Sequence, residues 1–429
     1  MEQVVIIGNG IAGVTAARHI RMLSDKRITI ISAESEYFFS RTALMYIYMG
    51  HMKFEHTQPY DTHFWKDNKI DLVKGYVEHV DVYKKTLHLD GGETISYDKL
   101  IIASGSKSNM FNWPGQSLDG VTGLCTKQDL GNLEKFTPGC KTAVVVGGGL
   151  IGIELTEMLL SRKINVTFLV REKSFWNTVL PDGESQLLNT HILEHGVDLR
   201  LETELKEINA DENGRVNSVL TSRGEIIPCQ IVGLAAGVSP NIEFLRKSGI
   251  ELGIGVRVNR FLETNIDHIY AVGDCAEQLE PLPNRKSIEA VWYTGRMMGE
   301  TLAQTICGNR MEYNPGNWFN SAKFLDIEYQ TYGWIWNKPR DNESHFYWEH
   351  SSGKKCIRIC YDKNTSTFLG INTFGIRMRH EFFDHALAEN RSVDYIIDNL
   401  SSANFDPEFY SKHEPEIQSL FYQTISNTL

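Results

Sequence analysis

The chain opens on an unbroken apolar run, Val4-Val5-Ile6-Ile7, short for a helix and long enough for a buried strand. A glycine-punctuated stretch follows, Gly8-Asn9-Gly10-Ile11-Ala12-Gly13, and the pattern behind it predicts a helix. A second run, Arg27-Ile28-Thr29-Ile30-Ile31, predicts another buried strand that leads to Glu34, 21 residues past Gly13. The same order then returns. Thr142-Ala143-Val144-Val145-Val146 precedes Gly147-Gly148-Gly149-Leu150-Ile151-Gly152-Ile153-Glu154 and a helix. The strand Asn165-Val166-Thr167-Phe168-Leu169-Val170 comes next and ends in Arg171-Glu172. Laying VTFLVRE over ITIISAE sets Glu172 on Glu34, and the two units begin 139 residues apart. Between them, 81–97 reads as hairpin strands punctuated by Lys84-Lys85 and Asp90-Gly91-Gly92. From 313 onward the pattern predicts strands to about residue 374 and helices after it, an α+β arrangement.

The glycine spacing carries chemistry. The first glycine of each unit permits a tight turn, the second lets the backbone approach a pyrophosphate, and the third lets helix and strand pack closely. The helix N-terminus offers free N–H groups and the positive end of its dipole to phosphate. A carboxylate ending the next strand hydrogen-bonds a ribose hydroxyl. Gly8, Asn9, Gly10, Ile11, Ala12, Gly13 and Glu34 are therefore candidates for one dinucleotide site. Gly147, Gly149, Leu150, Ile151, Gly152 and Glu172 are candidates for a second. The predicted fold class is α/β with two Rossmann-like domains. Two sites suggest a bound flavin and a diffusible pyridine nucleotide, with hydride passing between them.

Charge and composition remove other classes. A net charge of −11 argues against a nucleic-acid partner. No apolar run approaches the roughly 20 residues of a spanning helix. The first strand begins almost at Met1, so a cytoplasmic protein without a targeting segment is expected. The seven cysteines are scattered without redox or zinc spacing and are expected to be reduced. No metal site is expected; His51 and His56 read as an exposed loop pair.

Further motifs resemble the flavoproteins with two dinucleotide-binding domains. YDKLIIASGS (Tyr97 to Ser106), IVGLAAGVSPN (Ile231 to Asn241) and TNIDHIYAVGDCAE (Thr264 to Glu277) are similar to that family's two crossing strands and its second FAD stretch. The resemblance implies cofactor contacts at Ala103, Ser104, Gly105, Gly237, Gly273 and Asp274, the last to the flavin's ribityl chain. It also places the backbone at Val77 by the adenine, and Trp292 or Tyr293 where it could stack on the flavin or gate the nicotinamide. SEYFFSRTALMYIYMG (Ser35 to Gly50) resembles the "PYxRPPLSK" segment of ferredoxin and rubredoxin reductases, nitrite-reductase-type NADH subunits and apoptosis-inducing factor. Arg41 takes the Arg position, and the aromatic stretch is expected to run beneath the FAD. Trp318-Phe319-Asn320-Ser321, DIEYQTYG (Asp326 to Gly333) and FLGINTFGIRMR (Phe368 to Arg379) resemble the C-terminal third of the same proteins.

Two departures sharpen the expectation. Disulfide reductases carry cysteine after the first acid, and this chain has none before Cys125. In the resembling reductases the Lys of "PPLSK" stands by flavin N5 and pairs with the Glu that aligns with Glu154; here Tyr46 holds the Lys position. Glu154 and Tyr46 are thus the candidate catalytic residues. The resembling family commonly places the second acid at the position of Val170, whereas the internal alignment favours Glu172; Arg171 leaves NADPH open, while Glu172 and Gly152 favour NADH. An FAD domain is expected from 1–112 and 241–312, an NAD(P) domain inserted at 113–240, and a C-terminal α+β interface domain at 313–429. The expected activity is an FAD-dependent NAD(P)H oxidoreductase that feeds a small redox protein or another small acceptor. A quinone reductase and an interaction flavoprotein like apoptosis-inducing factor remain alternatives, and a homodimer is open. The tail, with Ile417, Leu420, Phe421 and Thr424 sharing a face, is expected to pack on the body or a dimer mate rather than a membrane.

Overall fold

The computed structural model describes residues 1–406, 408, 409 and 411–426. They fall into two compact units: Met1–Phe111, Thr122–Gly139 and Ala236–Pro315 make the first, and Asn112–Val121, Cys140–Ala235 and Gly316–Leu429 the second. Each is described separately.

Unit 1 is built on a five-stranded sheet whose centre is β1 (Gln3–Ile7). The chain leaves β1 through the first glycine turn, forms α1 (Ile11–Leu23) and returns as β2 (Arg27–Ser32) beside β1. Lys99–Ile102 pairs with the other edge of β1; Ile70–Lys74 and Ile269–Ala271 complete the sheet, with every pairing parallel. Val4, Val5 and Ile6 are fully buried, which explains the unbroken apolar run: a strand covered on both faces has no polar side to show. The helix Trp292–Ile306 packs against α1 through small residues, and a Cβ on Gly299 would lie 2.6 Å from the carbonyl oxygen of Ala12. The expected hairpin region forms Val77–Asp81, Thr86–Leu89 and Thr94–Ser96, an antiparallel three-stranded sheet.

Two sequence expectations change here. The segment Thr122–Gly139, drawn inside the 113–240 domain, belongs to unit 1. Side chains fix it there: Tyr48 Oη bonds Thr137 Oγ1 at 2.6 Å, and the N–H of Lys127 donates to Glu34 at 2.8 Å. The aromatic stretch is also more core than expected. Phe38, Phe39, Leu44, Met45 and Tyr48 are buried, each such burial being worth about 1.5–3 kcal/mol, and Tyr46 and Ile47 stay half-exposed on the short helix Leu44–Tyr48.

Unit 2 repeats the design with β3 (Thr142–Val146), α2 (Leu150–Ser161) and β4 (Asn165–Leu169). β3 lies between β4 and Ile231–Leu234, with Asp198–Arg200 beyond β4, again parallel. α3 (Asp182–Glu194) connects β4 to the strand at Asp198. The C-terminal part is a five-stranded antiparallel sheet opened by the hairpin β5 (Phe319–Phe324) and β6 (Ile327–Gly333), followed by helices. Ion pairs join the two parts of this unit. Arg358 donates to both oxygens of the fully buried Glu184 on α3 at 2.7 and 2.9 Å, and Lys323 on β5 reaches Glu157 on α2 at 2.6 Å. Removing one partner of the Arg358–Glu184 pair would cost about 3–5 kcal/mol, because the other charge would be left buried. The tail helix Glu414–Ser426 buries Ile417 and Phe421, the latter edge-on to Phe346. Leu420 and Thr424 are exposed, so the expected four-residue face is narrower, and the last three residues of the tail lie outside the described part.

Candidate dinucleotide-binding sites

In unit 1 the turn after β1 is held by its neighbours. The N–H of Gly8 donates to Ile31 O at 2.8 Å and that of Ala103 to Ile7 O at 2.8 Å, so the turn emerges between β2 and Lys99–Ile102, where a ligand crevice opens in such sheets. Gly8 has φ +110°, and a Cβ there would stand 2.1 Å from Ala103 O. A Cβ on Gly13 would stand 2.2 Å from Gly8 O. Gly10, by contrast, faces open space, and no side chain caps the helix that begins at Ile11 and Ala12. The turn is closed toward the protein and open toward solvent, with uncapped N–H groups on the open side. That fits a dinucleotide pyrophosphate.

Asn9 is buried and staples the turn to the end of β2: its Nδ2 donates to Ser35 O at 2.9 Å and its Oδ1 accepts from Ser32 Oγ at 2.9 Å. Beyond them Glu34 is held by Arg41, whose guanidinium donates to both carboxylate oxygens at 2.9 and 2.5 Å. The N–H of Lys127 adds a third donor to Glu34 Oε1. A carboxylate offers about four acceptor positions, so one is left for a ribose hydroxyl. Arg41 also donates to the carbonyl of Cys125. The sequence could not show these partners, because 122–139 is separated from Glu34 by about ninety residues. The Cys125 thiol beside them is pushed up in pKa by burial, which keeps it from being a reactive thiolate.

Across the sheet, Ala103-Ser104-Gly105 leave their strand with Ser104 Oγ donating to Asn241 O at 2.7 Å and Gly105 at φ +67°. Gly273, at φ +74°, approaches α1 at Ala12, and Asp274 follows it in a short turn. Burial raises the Asp274 pKa against the opposing pulls of Ser106 and Arg41; Ser106 Oγ donates to it at 2.9 Å. Val77 is buried at a strand start, and Trp292 is half-buried at a helix start, edge-on to Tyr293. Gly237 lies in unit 1, where its carbonyl accepts from the N–H of Asn109 at 3.0 Å.

Unit 2 reproduces the turn. The N–H of Gly147 donates to Leu169 O at 3.0 Å, Gly147 has φ +119°, and a Cβ on Gly152 would stand 2.1 Å from Gly147 O. Gly149 faces open space and α2, beginning Leu150-Ile151, has no side-chain cap. Glu172 pairs with its neighbour Arg171 at 2.9 Å. On α2, burial and the nearby Glu157 raise the Glu154 pKa to about 7.

The comparisons agree with this duplicated architecture. Residues 2–299 match the model of the pyridine nucleotide-disulphide oxidoreductase family. The chain belongs to that family. As a member it is an oxidoreductase that works with FAD and NAD(P)H. A ferredoxin–NAD(P)+ reductase of a Sphingomonas species is 30% identical over 336 residues, covering 77% of this chain and 80% of its own. The NAD(P)H nitrite reductase of Bacillus subtilis is 32% identical over 279 residues, 64% of this chain but only 34% of that longer protein. A ferredoxin reductase structure from Rhodopseudomonas palustris superposes with a TM-score of 0.82 at 23% identity, covering 92% of this chain and 96% of that one; it supports the fold. No helix among the described residues is long and apolar enough to cross a membrane.

Proposed function

We propose that unit 1 holds FAD, that the turn of unit 2 receives NADH, and that the electrons pass to a small redox protein. When bound, the flavin accepts hydride from the reduced nicotinamide and releases the electrons one at a time. The chain's own groups have the following roles. The open N-terminus of α1 takes the FAD pyrophosphate, and Glu34, held by Arg41 and Lys127, presents its remaining acceptor position to the adenosine ribose. Asp274, buried and bonded to Ser106, accepts from a hydroxyl of the ribityl chain. The open N-terminus of α2 takes the second pyrophosphate. Glu172 accepts from the ribose of NADH and repels the extra phosphate of NADPH, which is the reason for preferring NADH. Glu154, with a pKa near 7, holds a proton at its carboxyl near neutrality. Tyr46, half-exposed where similar reductases keep Lys, tunes the flavin without adding a charge. The acceptor class rests on the ferredoxin-reductase relatives.

The observation that carries this reading is the pair of uncapped, glycine-lined helix N-termini in one chain, each followed by a carboxylate. Anaerobic mixing with NADH or NADPH, followed by visible flavin absorbance, tests it. NADH should bleach the flavin faster; no bleaching by either nucleotide would end the proposal. Tyr46→Lys should change the rate of bleaching, and an unchanged rate would remove Tyr46 from the flavin's neighbourhood.

A further inference from the structure

The sequence HILEH at 191–195 sets two histidines four residues apart, a spacing that puts both on one face at the end of α3. The fold brings Asp326 to them from the β5–β6 turn, within the same unit. Asp326 Oδ1 lies 2.5 Å from His191 Nε2 and 3.4 Å from His195 Nε2, and one ligand-capable atom from each residue lies within 4.8 Å of the others. His191 is almost fully buried; its Nε2 meets the Asp326 carboxylate in a close contact that is not aligned as a hydrogen bond, and its Nδ1 has only the Glu194 carboxylate, 4.0 Å away. An imidazole removed from water in this way is costly unless something else binds it.

The second histidine points the same way. His195 Nδ1 lies 2.9 Å from the carbonyl of His191 and can bond there only as a donor. The neutral ring then turns the Nε2 lone pair toward the carboxylate of Asp326. Two lone pairs facing each other at 3.4 Å repel unless a proton or a metal cation lies between them. The backbone bond at Nδ1 is the kind of contact that orients a metal-bound histidine. The end of a helix carries partial negative charge and favours a cation. Lys354, a nearby positive group, lies 3.8 Å from Glu194, with both side chains about half-exposed.

We infer that His191, His195 and Asp326 form a site for a divalent metal ion, with Zn²⁺ favoured by the two-imidazole, one-carboxylate donor set. Zinc bond lengths near 2.05 Å place tetrahedral ligand atoms about 3.3 Å apart. The His195–Asp326 separation already meets that spacing. The His191–Asp326 contact must open by under an ångström, which Asp326 can supply because its side chain is 63% exposed at the hairpin tip. The turn is held by Leu325, which is buried and adopts φ +57°, an unusual conformation for leucine. Three protein ligands leave a fourth position for water or a small anion. The ion would tie the β5–β6 hairpin to α3.

The experiment uses the full-length, flavin-loaded protein, stripped with a chelator and titrated with Zn²⁺ against a chromophoric competitor. One equivalent should bind. His195→Gln and Asp326→Asn alter exposed side chains, and an unchanged circular-dichroism spectrum and unfolding midpoint of the metal-free protein verify each fold. Each should weaken binding by more than the roughly 10–100-fold typical of losing a group that merely orients a ligand. Zinc-edge absorption should show nitrogen and oxygen neighbours at about 2.0–2.2 Å. Failure to bind, binding that both variants leave intact, or a sulfur neighbour from a cysteine would overturn the inference.

Discussion

The two glycine turns superimpose in logic and differ in how they are anchored. Gly8 bonds Ile31 O as Gly147 bonds Leu169 O, and Gly13 meets Gly8 O as Gly152 meets Gly147 O. The second position differs. Asn9 reaches into Ser32 and Ser35, whereas Gly148 leaves room for Val170, whose side chain would lie 2.7 Å from an added Cβ. The acids differ too. Glu34 is fixed by a guanidinium seven residues away and a backbone N–H ninety-three away; Glu172 holds the residue just before it in the chain. A carboxylate clamped by tertiary partners loses little freedom when a ligand arrives. One tied only to its neighbour must still be ordered. That contrast suits a resident cofactor in unit 1 and an exchangeable one in unit 2.

The largest expected effect comes from closing one turn at a time. Gly13→Val places a branched side chain where even a Cβ is 2.2 Å from Gly8 O, so α1 must move off the sheet. Overpacking of this kind costs about 1–3 kcal/mol or more, and purified Gly13→Val should carry no flavin. Gly152→Val should keep its flavin and lose bleaching by NADH. If both variants lose flavin equally, the assignment of one cofactor to each turn is broken.

A smaller effect should separate the second positions. Asn9→Ala leaves Ser32 Oγ and the Ser35 carbonyl without their partner inside the protein. The expected loss is about 1–3 kcal/mol in denaturant unfolding, with weaker flavin retention. Gly148→Ala meets the flexible end of no long chain but the branched Val170, and should cost stability without releasing flavin.

The sequence made the turns legible because their chemistry is local: apolar runs, glycines and an acid at fixed offsets. It also placed Asp274 and Ser106, 168 residues apart, in motifs that the fold joins by a hydrogen bond. What it hid was set by tertiary neighbours. Phe38, Phe39 and Tyr48 read like a ligand face because an aromatic beside a binding motif looks the same whether it meets a cofactor or a core. The 122–139 segment carries no sign that its backbone will reach Glu34. HILEH did carry a signal, the four-residue histidine spacing, but its third member lies in a hairpin more than a hundred residues away.

Glu154 tests a further difference between the turns, since the matching position on α1 is the buried Thr15. Its pKa is raised from 4.5 to about 7, so between those values the folded protein binds more protons than the unfolded chain. Stability contributed here is greatest below about pH 4.5 and is lost as pH rises through about 7. Allowing for solvent screening, the loss should be about 1–2 kcal/mol. Glu154→Gln should flatten this part of the stability–pH curve and be the more stable protein above pH 7. An unchanged slope would mean that Glu154 is ionised like a surface glutamate.

The smallest effect is the most specific. Arg171 is largely exposed, so breaking its pair with Glu172 should change stability by no more than about 0.5 kcal/mol. Glu172→Gln should then leave flavin content and kcat alone and raise KM for NADH by up to about tenfold, with a smaller change for NADPH. Glu34→Gln should do the reverse, releasing flavin on dilution because Arg41 and Lys127 lose a charged acceptor. A binding acid that sets KM and a clamped acid that sets cofactor retention are two uses of one residue type at one position of a repeated turn. Equal loss of flavin in both variants would show that the difference in anchoring has no functional consequence.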